Sequence, residues 1–189
     1  MAGLTDDTQE ASDHQTLLVF KGMMGVGKSA LSRAVGKRLR WPVVDKDDFS
    51  DAIVDYIRSY GPLAYASMFS VAGSLLAQGF TVICDSPLRG ELGYLRVKEL
   101  AHERGSRLRI VSCSLPDGPV WQTRIETRER RPAHILKTWN DLLHYRDQAE
   151  DNFRYEMTSP VLELDTAAPL EELTEHIIDW LKASKGVPS

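Results

Sequence analysis

Apolar residues in this chain fall into short solid runs, separated by longer stretches in which they recur every three or four positions. The first run, Thr16-Leu17-Leu18-Val19-Phe20, has no polar alternation and ends in a glycine-rich turn, the pattern of a strand buried on both faces. Ala30, Leu31, Ala34, Val35 and Leu39 keep helical spacing, so a helix is predicted from Ser29 to Arg40, with Trp41-Pro42 as its stop. Val43-Val44 predicts a brief second strand, closed by Asp45-Lys46-Asp47-Asp48. Residues 49–78 read as helix in two pieces, broken at Gly61-Pro62. A third strand is predicted over Phe80-Thr81-Val82-Ile83-Cys84, ended by Asp85-Ser86-Pro87, and a helix from Glu91 to Arg104 follows. Leu108 to Ser114 gives a fourth strand, a helical stretch runs from Val120 into an arginine-rich segment, and another helix spans Thr138 to Phe153. Val161 to Leu164 and Leu170 to Leu181 supply a last strand and a closing helix.

Strands that alternate with helices throughout argue for an α/β fold, one parallel sheet covered on both faces by right-handed crossovers, in a single domain over residues 16–185. Ahead of it, residues 1–15 hold Asp6, Asp7, Glu10 and Asp13 with no Lys or Arg and no apolar periodicity. A flexible acidic tail is expected there.

Composition narrows the setting. A chain of 189 residues, 42% hydrophobic and 26% charged, can bury a core without a disulfide or metal staple. Cys84 and Cys113 both lie in apolar runs; a bridge between them stays open, although two thiols in a chain of this size fit a reducing cytosol better than a secreted scaffold. No run approaches the roughly 18 apolar residues of a membrane span, and the acidic start lacks the basic and apolar regions of an export signal. A cytoplasmic protein without a membrane partner is therefore expected. Lys+Arg 23 against Asp+Glu 27 gives a net charge of -4, which argues against a general nucleic-acid binder. The four acids of the tail account for that whole imbalance, whereas residues 96–131 hold nine Lys or Arg against five Asp or Glu. That local basic segment suits a small anionic ligand.

The chemistry starts at Gly22-Met23-Met24-Gly25-Val26-Gly27-Lys28-Ser29, a complete G-x-x-x-x-G-K-S directly after a predicted strand and directly before a predicted helix, which is the context a P-loop needs. Glycines let the backbone wrap a phosphate with its N–H groups inward, and Gly27 stands where a side chain would block the approach. The helix running on through Ala30 adds the positive end of its dipole, Lys28 can reach the terminal phosphates, and the Ser29 hydroxyl can ligate Mg2+. Asp45, Asp47 and Asp48 follow the second strand, and the carboxyl ends of parallel strands share one edge of the domain. They are expected to face the phosphates, where one carboxylate can accept the proton of an attacking hydroxyl and a second can hold the metal's water shell. A solvated acidic loop, or a helix cap by Asp47 or Asp48, would use the same residues. Asp85 ends the third strand, where a carboxylate holds Mg2+ through water unless it merely starts a turn. Arg89 can pin an acidic or hydroxylated substrate group, or be solvated. Tyr56, Tyr60, Tyr65 and Phe69 add aromatic character where an acceptor would lie, and no histidine has zinc-ligand spacing with a second His or Cys.

On these residues the chain resembles the small P-loop kinases related to gluconate kinase, shikimate kinase, chloramphenicol phosphotransferase and the kinase part of polynucleotide kinase. Asp45 and Asp47 match the paired aspartates of shikimate kinases, and Asp47-Asp48 the adjacent aspartates of polynucleotide kinases; both alignments make Asp47 the base. Cys84 to Arg89 with Tyr94 and Arg96 is similar to a gluconate kinase stretch, from which Asp85 and Pro87 depart. The resemblance implies a three-layer α/β/α sandwich with a five-stranded parallel sheet in the order 2-3-1-4-5 and a helical lid. It implies ATP on residues 22–30, with Mg2+ on Ser29 and on Asp45 or Asp85. The acceptor would be held by Asp45, Asp47, Asp48 and Arg89. Lid arginines from Arg124 to Arg131 would close on the nucleotide, Arg124 and Arg128 foremost because four residues apart they share one helical face. The loop at Asp165 would receive adenine. The activity implied is transfer of the γ-phosphate of ATP to a hydroxyl of a small molecule, whether a natural product or antibiotic, a sugar acid or a nucleoside-like acceptor, by a monomer or homodimer. A nucleotide-binding regulatory NTPase and a polynucleotide 5'-hydroxyl kinase are the alternatives, the first lacking any Asn-Lys-x-Asp motif and the second any separate nucleic-acid module.

Overall fold

The computed structural model describes residues 15–116 and 118–183. At its centre lies β1 (Thr16–Lys21), all six residues of which are buried. Its apolar run serves two cores. Leu17 and Val19 pack on one face with Met68, Ala72, Val82 and Val97, while Leu18 and Phe20 pack on the other with Leu31, Val35, Val111 and Ile177. Side chains that alternate between two covered faces explain why no polar position interrupts the run.

The other strands are β2 (Val43–Asp45), β3 (Val82–Asp85), β4 (Arg107–Ser114) and β5 (Val161–Asp165). All five are parallel and stand in the order β2-β3-β1-β4-β5, the order expected, with β3 and β4 flanking β1, β2 outside β3 and β5 outside β4. In chain order the helices are α1 (Lys28–Leu39), α2 (Lys46–Ile53), α3 (Gly61–Ala77), α4 (Glu91–Glu103), α5 (Pro119–Thr127), α6 (Trp139–Ala149) and α7 (Leu170–Ala183), with a 3-10 turn over Glu150–Phe153. A reciprocal cap between Thr138 and Asp141 starts α6.

Four boundaries differ from expectation, each for a local reason. Gly61-Pro62 does not break a helix but begins α3, because a proline in the first turn has no intrahelical N–H bond to lose; the interruption lies before it, after α2 ends at Ile53. Phe80 stays outside β3, its N–H bonded to Leu75 O around the turn that closes α3. Arg128 leaves the helical conformation with ψ 148, so α5 stops at Thr127 and the expected shared face of Arg124 and Arg128 does not form. The expected tail lies outside the described residues except for Gln15, which belongs to the fold: its Nε2 donates to Leu76 O at 2.7 Å and to Phe80 O at 3.1 Å.

Cys84 and Cys113 are free and buried. They sit on β3 and β4, the strands on either side of β1, and two strand spacings of about 4.8 Å exceed the roughly 7 Å that a disulfide can span. No described helix is long and apolar enough to cross a membrane.

Gln15→Ala leaves two carbonyls without their side-chain donor and is expected to lower unfolding free energy by about 1–3 kcal/mol, measured by urea denaturation. An unchanged midpoint would return Gln15 to the tail.

Candidate active site

β1 delivers the chain at Lys21 into the glycine loop. Gly22 has φ 138, and a Cβ there would lie 2.3 Å from the carbonyl oxygen of Cys113, so only glycine lets the loop leave the sheet at this point. Gly27, with φ 101, precedes the first turn of α1. The loop is tied from behind: Met24 O accepts from Trp121 Nε1 at 2.9 Å, and Val26 O accepts from Thr166 Oγ1 at 2.5 Å and from Arg124 at 3.2 Å. Lys28 is buried and its Nζ donates to Met23 O at 2.7 Å. Burial pulls its pKa down, against the carboxylates of Asp85, Asp47 and Asp45 and the thiol of Cys113, which support its charge.

A cleft of about 820 Å³ runs along the carboxyl edge of the sheet. Gly25, Gly27, Lys28, Ser29, Ala30 and Met24 line it from the loop, Arg124, Thr166 and Ala168 from the β4–β5 side, and Asp45, Asp47, Asp85, Tyr65 and Arg89 from the β2–β3 side. Gly22, Met23 and Val26 stand behind it. Asp48 is exposed outside it, and Asp165 turns outward, its Oδ1 accepting from Ala167 N at 2.9 Å. Of that loop, Thr166 and Ala168 line the cleft and Asp165 does not.

Asp45 and Asp85 are paired in register at the ends of β2 and β3. Both are buried, but they are not equally free. Asp85 Oδ2 accepts from Ser32 Oγ at 2.9 Å, and its Oδ1 has no hydrogen bond among the described residues. Asp45 spends both oxygens, Oδ1 on Asp47 N at 2.9 Å and Oδ2 on Arg33 at 3.1 Å and Arg131 at 3.3 Å. Burial, then the neighbouring Asp85 carboxylate, pushes Asp45 up to about 6, although the Asp47 N–H pulls the other way. Asp45 is the cap of α2, a role the sequence reading gave to Asp47 or Asp48.

Asp47 sits one residue into that helix and faces the cleft. Burial would raise its pKa, but Lys46 at 2.8 Å, with His134 and Lys28 beyond, holds it below the ordinary carboxylate value. It is ionised at neutral pH. Burial pushes the Tyr65 phenol up to about 12, and Arg89 donates to Tyr145 Oη at 2.5 Å while lying against that ring.

The arginine-rich segment does four different things. Arg124, on α5, bridges Val26 O to Thr166. Arg128 lines the cleft and donates to Leu136 O at 2.8 Å, its Nε buried without a hydrogen-bond partner among the described residues. Arg130 is held by the carbonyls of Leu136 and Lys137. Arg131 grips Asp51 at 2.5 Å, Asp48 at 2.7 Å and Asp45 at 3.3 Å. His134, Lys46 and Asp51 are residues that the sequence did not single out, and Thr166 stood there only as part of the loop after the last strand. Asp51 follows Asp48 at helical spacing, which is a weak signal; the contact of Thr166 with Val26 spans 140 positions and leaves none.

The family described as AAA domain matches residues 17–148, and the chain belongs to it. No curated protein matches. Among solved structures, a Chloroflexus aurantiacus protein described provisionally as a kinase is 22% identical, with TM-score 0.71 over 90% of this chain and 98% of its own. A gluconokinase from Sinorhizobium meliloti is 18% identical, with TM-score 0.61 over 90% of this chain and 93% of its own. The APS kinase of Mycobacterium tuberculosis, solved with AMPPNP and APS, is 15% identical, with TM-score 0.64 over 89% of this chain and 98% of its own. At these identities the likeness is one of fold, that of the small P-loop kinases.

Asp45 gives a pH test. With its value raised from 3.8 to about 6, the folded chain keeps a proton that the unfolded chain has released across that interval. Its contribution therefore favours folding fully below about pH 4 and is lost as pH rises through about 6. Carboxyl 13C resonances of the metal-free protein are expected to give Asp45 a midpoint near 6, and Asp45→Asn to flatten stability across this window. A midpoint at the ordinary carboxylate value would contradict the assignment.

Proposed function

We propose that this chain is an ATP-dependent phosphotransferase that moves the γ-phosphate of ATP to a hydroxyl of a small molecule, with Asp47 as the base. The observation that carries the reading is the shared cleft. Lys28, Ser29 and the loop glycines line it from the end of β1, and an ionised Asp47 lines it from the end of β2. Beyond Asp47 it continues to Tyr60, Tyr65, Pro87 and Arg89, which gives an acceptor a place that a nucleotide switch would not need. The structural neighbours named as a gluconokinase and an APS kinase support the same class.

The chain's own residues have separable tasks. The loop amides and the start of α1 hold the phosphates, and Lys28 exchanges Met23 O for a phosphate oxygen. Arg124 and Arg128 flank the nucleotide side and set cation charge where the transferred group gains negative charge. Asp47 accepts the proton of the attacking hydroxyl, a task open to it because it is ionised and Asp45 is fully committed elsewhere. Arg89 and Tyr65 border the acceptor. For Mg2+ the donor set fits: Asp85 has a free oxygen at the cleft and Ser29 a hydroxyl, and this ion takes one or two protein oxygens plus phosphates and waters. Asp85 is thus favoured over Asp45 as the metal's carboxylate. When bound, the ion would neutralise charge on the phosphates.

An acceptor screen read as stimulated ADP release tests the reading. With the acceptor so found, Asp47→Asn is expected to lower kcat by about 10²–10⁴-fold with AMPPNP affinity kept. Full transfer by this variant would remove Asp47 from the role. Lys28→Met is expected to weaken nucleotide binding and turnover together; calorimetry with AMPPNP showing no change would place the nucleotide elsewhere.

A further inference from the structure

The segment Arg131 to His134 lies against α2 through several contacts at once. Four carboxylates, those of Asp45, Asp47, Asp48 and Asp51, stand on α2 and its cap, a helix of 8 residues. So short a helix does not hold itself, and its acids repel one another. Arg131 meets three of them with three different nitrogens: Nε to Asp51, one terminal nitrogen to Asp45, the other to Asp48. Ala133 N adds a bond to Asp51 Oδ1 at 2.9 Å. His134 Nδ1 accepts from Arg131 N at 3.3 Å, which leaves the proton of the neutral ring on Nε2, 3.8 Å from Asp47 Oδ2. Burial and Arg128 keep that ring neutral by lowering its pKa.

Asp47 is at the end of this chain of contacts. Its N–H is bonded to Asp45 Oδ1, and the other oxygen of Asp45 is bonded to Arg131. Arg131 itself does not line the cleft, and every nitrogen of its guanidinium is engaged, unlike the cleft-lining Arg124 and Arg128. A planar fork can serve three carboxylates in one plane; a lysine ammonium cannot.

We propose that Arg131 is a positioning residue: by gathering Asp45, Asp48 and Asp51 it fixes the first turns of α2 and so sets Asp47 in the cleft. This rests on the reading of Asp47 as base. It makes the arginine-rich segment a support for the acceptor side as well as a source of charge for the nucleotide.

The test uses the full chain with Arg131→Met, Arg131→Lys and the milder Asp51→Asn. NMR-detected amide exchange at Asp47, without ligand, is expected to quicken about tenfold in Arg131→Met while amides of β1 and β4 keep their protection. With Mg-ATP as probe and water as acceptor, kcat for ADP formation is expected to fall about 10-fold to 100-fold, with KM for ATP within about twofold of the unmodified protein. Arg131→Lys should lie between, and Asp51→Asn should add little in the Arg131→Met background. Unchanged exchange at Asp47, or a loss that falls on KM for ATP, would overturn the proposal, the latter by making Arg131 a nucleotide contact. No ADP release stimulated by any acceptor of the screen would count against the phosphotransferase reading, and exchange at Asp47 would still decide the role of Arg131.

Discussion

A strand with no side chain in water and a parallel partner on each edge leaves the chain only one exit. At the end of β1 that exit is Gly22, whose backbone passes so close to Cys113 O that a methyl group would not fit. The loop that follows is suspended over the carboxyl edge of the sheet, and the register of β3 and β2 against it brings Asp85 and then Asp45 to the same level. Burial of β1 thus decides where phosphate-binding amides and carboxylates meet. The glycine loop and the carboxylates of Asp85 and Asp45 take their places from one packing constraint, and none of them could move without shifting strand register.

Charge is handled by division of labour. Asp45 and Asp85 lie side by side at low exposure, so one of them is pushed toward its protonated form and spent on structure, capping α2 and receiving two arginines. The other retains an open oxygen toward the cleft. Asp47, closest to cations, stays ionised. Asp45 and Asp47, two residues apart, have their proton affinities pushed in opposite directions by their surroundings.

The sheet was legible because parallel strands buried on both faces read as apolar runs, as Leu17 to Phe20 of β1 and Val82-Ile83-Cys84 of β3 do, whereas β4 is interrupted by Arg109 and Ser112. The glycine loop was legible because its chemistry demands glycine, lysine and serine at fixed spacing. Boundaries failed where a residue has two meanings: proline ends a helix or begins one, and an arginine that follows a helix in sequence leaves it in space, as Arg128 does. What joins the lid segment to the acidic helix was illegible for a different reason. Arg131 and its partners are separated by 80 or more residues along the chain, and only the fold brings them together. That Asp45 caps α2 and meets Arg131 was hidden for the same reason, because Arg131 and its neighbour on β3 lie far from its own stretch of sequence.

The central claim is that one cleft holds nucleotide and base face to face. A crystal structure with Mg-AMPPNP tests it most directly. The account predicts the terminal phosphate on Lys28 and the loop amides, the metal between Ser29 and Asp85, and Asp47 across from the phosphate with room for one hydroxyl between them. Nucleotide seated away from the glycine loop, or Asp47 turned out of the cleft when nucleotide is bound, would contradict it.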